Sequence, residues 1–135
     1  MPGFAGERRI LIVEDEKVVA ESLGQVLRVS GYSVRLAHSA EEAIYLVPWW
    51  SPHLAILDVM LPKMNGIELA MVLREQCRDC GILLFSGQPS VEDLVAQARL
   101  DGHHFDILAK PVHPSVMLDA VSTLLTLTWG SSPAA

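Results

Sequence analysis

The segment from His53 to Pro62 limits the choice of folds for this chain more than any other. Its apolar run Leu54-Ala55-Ile56-Leu57 has no polar break, which predicts a short strand buried on both faces of a parallel sheet. Asp58 stands where this run ends, and loop-forming residues follow it. Because open α/β sheets bind ligands at the carboxyl ends of their strands, Asp58 is a candidate functional carboxylate. The alternative at this point is an aspartate that only terminates the strand.

Strand-like apolar runs alternate with helix-like periodic segments along the whole chain. The runs predict five short strands, at 10–13, 32–37, 54–58, 81–85 and 105–109. Residues spaced for one helix face predict five helices, beginning near 17, 40, 67, 90 and 114. The second helix is expected to end near Leu46, because the two prolines of segment 48–52 predict a loop. This alternation predicts an α/β fold, a doubly wound parallel sheet with helices on both faces.

The composition narrows the classes of function. The 135 residues suit one domain, predicted at 7–128 between short tails at 1–6 and 129–135. Acidic residues outnumber lysines and arginines by 16 to 10, and Arg8-Arg9 is the one adjacent basic pair, so we expect no direct nucleic-acid binding. No signal peptide or membrane span is visible, and two cysteines suit a reducing compartment. We therefore expect a cytoplasmic protein without membrane attachment.

Polar residues follow four of the predicted strands, at the edge where parallel strands end. They are Glu14, Asp15, Asp58, Ser86 and Lys110. Neighbouring carboxylates repel one another unless a cation neutralises them, and their hard oxygen atoms suit Mg²⁺. A lysine and a serine can contact phosphate oxygens, and a carboxylate can act as the nucleophile. The set predicts phosphoryl transfer onto a carboxylate, and without a Walker-type Gly-Lys-Ser/Thr sequence we expect no nucleotide binding.

Five short motifs occur in the order and at nearly the spacing of one protein family, over about residues 7–128. They are Ile12-Val13-Glu14-Asp15-Glu16, Leu57-Asp58-Val59-Met60-Leu61-Pro62, Met64-Asn65-Gly66, Phe85-Ser86-Gly87 and Lys110-Pro111. Each motif is weak alone, but five in order are specific. On these residues the chain resembles the receiver domains of response regulators in two-component signalling. The resemblance implies the flavodoxin-like fold of the chemotaxis regulator, with strand order 2-1-3-4-5.

The same resemblance implies a role for each site residue. Asp58 would be the phosphoacceptor, Ser86 the hydroxyl of the switch position and Lys110 the lysine that contacts the phosphoryl group. A cis peptide bond would join Lys110 to Pro111. The ligands of Mg²⁺ would be Glu14, Asp15, Asp58 and the backbone carbonyl of Met60. A histidine kinase or a phosphotransfer protein would donate the phosphoryl group.

One position departs from the family pattern. Receiver domains usually carry a tyrosine or phenylalanine three residues before the lysine, where this chain has Ile107. Phe105 stands two residues earlier. Two alternatives remain open from the sequence: Phe105 takes the place of the switch aromatic, or the chain transmits phosphorylation through another element.

These observations predict a stand-alone receiver that changes a protein-interaction surface when Asp58 is phosphorylated. Its output would go through an unknown downstream protein, and a homodimer through the fourth helix, fifth strand and fifth helix is one arrangement that the family allows. We expect no enzyme, beyond self-phosphorylation and self-dephosphorylation. The alternatives are an interaction module that works without phosphorylation, and the N-terminal receiver fragment of a longer regulator. An aspartate-dependent phosphohydrolase is disfavoured, because Met60 stands where such enzymes carry an acid.

Two weaker signals lie away from these motifs. Cys77 and Cys80 form a Cys-x-x-Cys pair, which is either two reduced thiols at a helix end or, together with His103 and His104, a zinc site. Trp49 and Trp50 stand between two prolines. Either one packs below the sheet while the other is half exposed, or the pair marks a surface for a partner.

Overall fold

The computed structural model describes residues 7–87, 96, 99, 102 and 105–129. Its strands are β1 (Arg9–Val13), β2 (Ser33–Ala37), β3 (Leu54–Asp58), β4 (Gly81–Ser86) and β5 (Asp106–Ala109). Its helices are α1 (Lys17–Val29), α2 (Ala40–Trp50), α3 (Gly66–Gln76) and α4 (Pro114–Trp129). The helix predicted from Ser90 lies outside the described residues, apart from positions 96 and 99, so it stays a prediction.

The five strands form one parallel sheet in the order β2-β1-β3-β4-β5, which confirms the predicted flavodoxin-like fold. Every residue of β3 is buried, as expected for the central strand of a sheet that is covered on both faces. The register pairs Val13 with Leu57, Asp58 with Phe85, and Ser86 with Ala109. The carboxyl ends of β1, β3, β4 and β5 therefore lie side by side at one edge.

The side chains of β3 alternate between two hydrophobic cores. Ala55 and Leu57 face the core that contains residues of α2 and α3, whereas Leu54 and Ile56 face the core that contains residues of α1 and α4. Burying each such leucine or isoleucine contributes about 1.5–3 kcal/mol, so the strand is held from both sides. Within the described ranges, no helix combines the length and the apolar character that crossing a membrane requires.

Segment 48–52 differs from the predicted loop, because α2 continues through Pro48 to Trp50. Proline has no N–H group, so the carbonyl oxygen of Ile44, one turn earlier, loses its usual helical partner. The side-chain amide of Gln76, in α3, donates a hydrogen bond to that oxygen at 3.4 Å. A partner from a neighbouring helix thus replaces the missing bond, which the local sequence does not reveal.

The two tryptophans of α2 have different environments. Trp50 packs against the core beside α3, and the guanidinium carbon of Arg35 lies 5.5 Å from its ring centroid. Trp49 is 77 % exposed. The prediction that one of the pair packs against the body of the protein is confirmed, but the other is more exposed than the expected half.

Candidate functional site

Two carboxylates lie where β1 ends. The backbone amide of Glu14 donates to the carbonyl oxygen of Ala37 at 3.0 Å, so this residue stays in line with the sheet. The Glu14 side chain is fully buried, and its Oε2 accepts a hydrogen bond from the backbone amide of Glu16 at 3.1 Å. Asp15 is exposed, and His38 Nδ1 lies 3.0 Å from the carbonyl oxygen of Glu14. The strand therefore places one acid inside the site and one at its rim.

Asp58 ends β3 and is only 3 % exposed. The backbone amide of Met60 donates to Asp58 Oδ1 at 3.0 Å and orients the carboxylate. Beneath it the chain turns tightly, with the amide of Gly66 donating to the carbonyl oxygen of Val59 at 2.8 Å. A Cβ atom on Gly66 would lie 2.3 Å from the backbone oxygen of Asp58, so the start of α3 can approach this closely only with glycine.

Lys110 joins carboxylates from two strands. Its Nζ donates to Glu14 Oε1 at 2.9 Å and to Asp58 Oδ2 at 3.0 Å. The Lys110 backbone amide donates to the carbonyl oxygen of Ser86 at 2.9 Å, which anchors the residue beside the end of β4. The peptide bond between Lys110 and Pro111 is cis, as the family resemblance implied. The ammonium group thus supplies a positive charge between two buried acids.

Burial and charge shift two ionisation equilibria in this cluster. Burial raises the pKa of Glu14 to about 7, assisted by the neighbouring Asp15 and Asp58, although hydrogen bonds from Lys110 and the Glu16 amide act to lower it. Burial alone would lower the pKa of Lys110, but its bonds to Glu14 and Asp58 outweigh burial and raise it. The lysine therefore stays charged, whereas burial favours the protonated form of Glu14 up to about neutral pH.

The three acids could hold a metal ion together. Carboxylate oxygens of Glu14, Asp15 and Asp58 lie within 4.8 Å of one another, and no other group of three or more such ligands occurs in the part of the chain that the structure describes. Two ligands of one Mg²⁺ lie at most about 4.2 Å apart, since each Mg–O bond is about 2.1 Å long. A small side-chain rotation closes that difference, so this oxygen donor set fits Mg²⁺. The Met60 carbonyl remains a predicted fourth ligand.

The sheet also brings Ser86 to this edge. Ser86 is the last residue of β4, is buried, and stands beside Ala109 of β5. The preceding residue, Phe85, pairs with Asp58. All of the predicted site side chains, Glu14, Asp15, Asp58, Ser86 and Lys110, thus stand at the ends of four adjacent strands.

The register of β5 separates the two candidates for the switch position. Ile107 pairs with Leu84, two residues before Ser86, and is 36 % exposed. Phe105 precedes β5, is buried, and packs its ring 4.2 Å from the guanidinium carbon of Arg74. At about 3.3 Å per residue, Ile107 is about 7 Å and Phe105 about 13 Å along the strand from Ser86. Ile107 therefore occupies the position nearer the site.

The predicted zinc ligands are only partly described. Cys77 and Cys80 are free thiols at the end of α3 and the start of β4, at the edge of the sheet opposite Asp58. His103 and His104 lie outside the described residues, so the zinc hypothesis stays a prediction. Burial raises the pKa of the Cys80 thiol, which disfavours the thiolate that zinc requires.

Two backbone amides belong to the site and were not predicted. The amides of Glu16 and Met60 each donate to the carboxylate two residues earlier in the chain, Glu14 and Asp58 respectively. This spacing is that of an Asx-type turn, in which an acidic side chain accepts from the backbone just after it. An acidic residue at the end of a predicted strand could therefore have predicted that the backbone amide two residues later donates to its carboxylate.

Comparison with known sequences relates the chain to one family. The family model described as response regulator receiver domain matches residues 10–122. The response regulator MprA of Mycobacterium avium (strain 104) is 38 % identical over 120 residues, covering 89 % of this chain and 52 % of that protein. MprA of Mycobacterium ulcerans (strain Agy99) is also 38 % identical over 120 residues, covering 89 % of this chain and 51 % of that protein. This chain thus spans about half the length of the curated relatives it matches.

Solved structures share the fold. The receiver domain of an HD domain-containing protein from Pseudomonas fluorescens Pf-5 has a TM-score of 0.83 at 27 % identity, covering 90 % of this chain and 97 % of that one. A CheY-like receiver domain protein from Methanospirillum hungatei JF-1 has a TM-score of 0.81 at 28 % identity, covering 90 % and 95 %. The response regulator TrrA of Thermotoga maritima, solved in complex with Mg²⁺ and BeF, has a TM-score of 0.75 at 28 % identity, covering 87 % and 98 %.

Proposed function

Because this chain belongs to the response regulator receiver domain family, we propose that its Asp58 accepts a phosphoryl group from a histidine kinase or a phosphotransfer protein. An oxygen of Asp58 forms a bond to phosphorus while the bond from phosphorus to the donor's leaving atom breaks. The product is an aspartyl phosphate that serves as a signal, and no substrate is turned over beyond self-phosphorylation and self-dephosphorylation.

One observation carries this proposal. A buried aspartate at the end of the central strand shares a lysine with a second buried acid, and a third acid stands at the rim. Burying carboxylates is costly, because each charge loses its hydration. Their presence at this site therefore indicates a function. Phosphoryl transfer uses this arrangement well, since positioning and charge neutralisation provide most of its catalysis.

Each residue has a distinct task in the proposed reaction. Glu14, Asp15 and Asp58 would hold Mg²⁺, which would supply positive charge against the transferred group. The amide of Met60 keeps the Asp58 carboxylate oriented through Oδ1. Lys110 Nζ lies 3.0 Å from Asp58 Oδ2 and shifts to contact the phosphoryl oxygens once they are attached. Ser86, from the adjacent strand, donates its hydroxyl to one of these oxygens. TrrA, solved with Mg²⁺ and BeF, supports this assignment by analogy.

The donor protein needs a surface beside Lys110. A groove of about 460 Å³ lies between α1 and the segment after β5, and Val18, Leu23, Lys110 and Val112 are among the residues that line it. Val18 is largely exposed, as an apolar contact for a partner would be. We place the phosphodonor in this groove, where its phosphohistidine could face Asp58.

The output surface includes Ile107. Phosphorylation adds nearly two negative charges and three acceptor oxygens to Asp58, which draw Ser86 and Lys110 toward the phosphoryl group. Isoleucine has neither the ring nor the hydroxyl of the residues that usually occupy this position. In this proposal a displacement of the β5 backbone beside Ser86 therefore transmits the effect of phosphorylation. The recipient is a downstream protein, and no nucleic acid binds directly; a homodimer through the face that includes β5 and α4 is an alternative readout.

The proposal includes the cellular compartment and the domain context of the receiver. We place the protein in the cytoplasm, because both of its cysteines, Cys77 and Cys80, are free thiols in this structure. A stand-alone receiver and the receiver part of a longer regulator both agree with the site, and relatives of about twice this length favour the second.

Beryllofluoride provides a test of the site, because it adds to a receptive carboxylate as a tetrahedral stand-in for a phosphoryl group. We expect a bound fluorine signal in ¹⁹F NMR that requires Mg²⁺. The signal should be absent in Asp58→Asn and kept in Asp79→Asn, which changes an exposed aspartate in a turn. No bound signal in the folded wild type would favour the phosphorylation-independent alternative. A signal that survives Asp58→Asn would show that Asp58 is not the acceptor.

A further inference from the structure

Two cysteines meet at the edge of the sheet opposite Asp58. Cys77 directly follows α3, and Cys80 directly precedes β4. The backbone amide of Cys80 donates to the carbonyl oxygen of Cys77 at 3.1 Å. This is the hydrogen bond of a four-residue β-turn, which brings its first and fourth Cα atoms within about 7 Å.

The side chains are close as well. The Cys77 side chain is near enough to help burial raise the pKa of the Cys80 thiol, and neither cysteine is in a disulfide. A disulfide needs Cα atoms about 4.4–6.8 Å apart, which overlaps the span of a β-turn. The backbone turn is thus already arranged nearly as a bonded pair requires.

The two thiols differ in access. Cys77 is partly exposed, and its Sγ donates weakly to the carbonyl oxygen of Pro52 at 3.9 Å. Cys80 is buried, and its Sγ donates to the carbonyl oxygen of Gly81 at 3.4 Å. A reagent from solvent therefore reaches Cys77 first, while Cys80 stands behind it as the second thiol.

We propose that Cys77 and Cys80 form a redox modification site, which a low-molecular-weight disulfide converts to an intramolecular disulfide. The thiolate of Cys77 attacks one sulfur of the reagent, whose S–S bond breaks and releases one thiol after protonation. The Cys80 sulfur then attacks the Cys77 sulfur of the mixed disulfide and releases the second thiol, which takes the Cys80 proton. The pair loses two hydrogens, and the reagent gains them.

This site is separate from the phosphoacceptor and reacts with low-molecular-weight disulfides, whereas Asp58 reacts with phosphoryl donors. Bond formation turns the Cys77 sulfur away from Pro52, so the connection between α2 and β3 loses a contact with the end of α3. Burial raises the pKa of Cys80, which makes it a poor leaving group when an external thiol attacks the disulfide. We therefore expect an external thiol to reduce this disulfide more slowly than one between two exposed cysteines.

The experiment equilibrates the full chain with mixtures of reduced and oxidised glutathione. Acid quenching, alkylation of remaining thiols and intact mass then report the state of the pair. We expect a monomer that lacks two hydrogens, resists alkylation and returns to the starting mass with dithiothreitol. Fully alkylated protein at every glutathione ratio, a lasting glutathione adduct on the wild type, or a disulfide-linked dimer would overturn the proposal.

Two variants test the assigned order of the thiols. Cys80→Ala should keep a glutathione adduct on Cys77, because the second thiol is gone, whereas Cys77→Ala should take up no adduct on the buried Cys80. An adduct on Cys80 in the folded Cys77→Ala protein would refute the order. If Cys80→Ala does not fold, the wild-type masses and Cys77→Ala still decide, since neither requires that variant.

Discussion

Lys110 is the residue that allows two buried acids to stand close together. Its side chain is 24 % exposed, whereas the side chains of its partners Glu14 and Asp58 are 0 % and 5 % exposed. A buried charge without a partner is strongly destabilising, because it has lost its hydration and gained nothing in exchange. In the protein without metal, the lysine therefore acts as a built-in counter-ion for the site.

Removing this charge should destabilise the metal-free protein. We expect Lys110→Ala to lower the free energy of unfolding by about 1–3 kcal/mol, less than for a fully buried pair because water partly screens the lysine. Mg²⁺ should raise the melting temperature more in this variant than in the wild type, because the ion replaces the lost charge. Thermal denaturation with and without Mg²⁺ measures both effects.

Lys63→Ala is the matched control. Lys63 Nζ lies 3.9 Å from Glu41 Oε2, and both side chains are mostly exposed. Exposed pairs contribute about 0–1 kcal/mol, so this variant should stay close to the wild type. Equal losses in the two lysine variants would show that the Lys110 contacts have no special role.

The raised pKa of Glu14 makes magnesium binding depend on pH. Mg²⁺ binds the ionised carboxylate, and with a pKa of about 7 that form declines below neutral pH. We expect affinity for Mg²⁺ to fall about tenfold from pH 8 to pH 6, since each pH unit below the pKa reduces the ionised fraction almost tenfold. Calorimetric titration at both values measures the change.

Glu14→Gln controls this prediction. The variant should bind Mg²⁺ more weakly at both pH values, and its affinity should depend less on pH, because it has no proton to release at this position.

The stability of the metal-free fold should depend on pH in the opposite direction to the affinity for Mg²⁺. The fold holds a proton on Glu14 more firmly than the unfolded chain does, so the metal-free wild type should lose stability as the pH rises from 4.5 to about 7. A pH-independent affinity in the wild type would contradict the shifted pKa.

The bounds of a secondary-structure element could be predicted from the sequence where no contact with a distant residue changes the local preference. The strand ending at Asp58 was predicted with its observed bounds, because four apolar residues followed by loop-forming residues have few alternatives. The end of α2 was not predicted, since the bond that tolerates Pro48 comes from Gln76, distant in sequence. The capping box between Asn65 and Glu68 was not predicted either, although the spacing of three residues between them is typical of one.

The start of α3 depends on Gly66. A methyl group there would meet the backbone of Asp58 and Val59, at 2.3–2.9 Å, and backbone atoms cannot rotate away. We expect Gly66→Ala to cost about 1–3 kcal/mol of stability, as overpacking typically does, and to weaken beryllofluoride binding because Asp58 must shift. Chemical denaturation and the fluorine signal measure the two losses.

Gly87→Ala tests whether any added methyl group near the site has the same effect. Its Cβ would lie 3.6 Å from Lys110 Cβ, an ordinary contact, so both stability and beryllofluoride binding should be retained. If Gly87→Ala were as damaging as Gly66→Ala, the close approach to the Asp58 backbone would not be the cause.

At the scale of the whole molecule, the parallel sheet explains why residues up to 96 positions apart form one site. Alternating strands and helices predicted the strand order, through the family resemblance, and the clustering of acids and lysine at one edge. The lysine's shared bonds and the buried state of Glu14 could not be predicted, because they depend on side-chain directions that the order of strands leaves open. Nor does the sequence identify the output, since the matched relatives are about twice as long.

The central claim is that Asp58 accepts a phosphoryl group, and the most direct measurement is intact mass after incubation with acetyl phosphate. With Mg²⁺ we expect the wild type and Asp79→Asn to gain the mass of one phosphoryl group, and Asp58→Asn and the metal-free wild type to gain none. A folded wild type that gains no mass at saturating donor and Mg²⁺, or an Asp58→Asn variant that gains as much as the wild type, would contradict the claim.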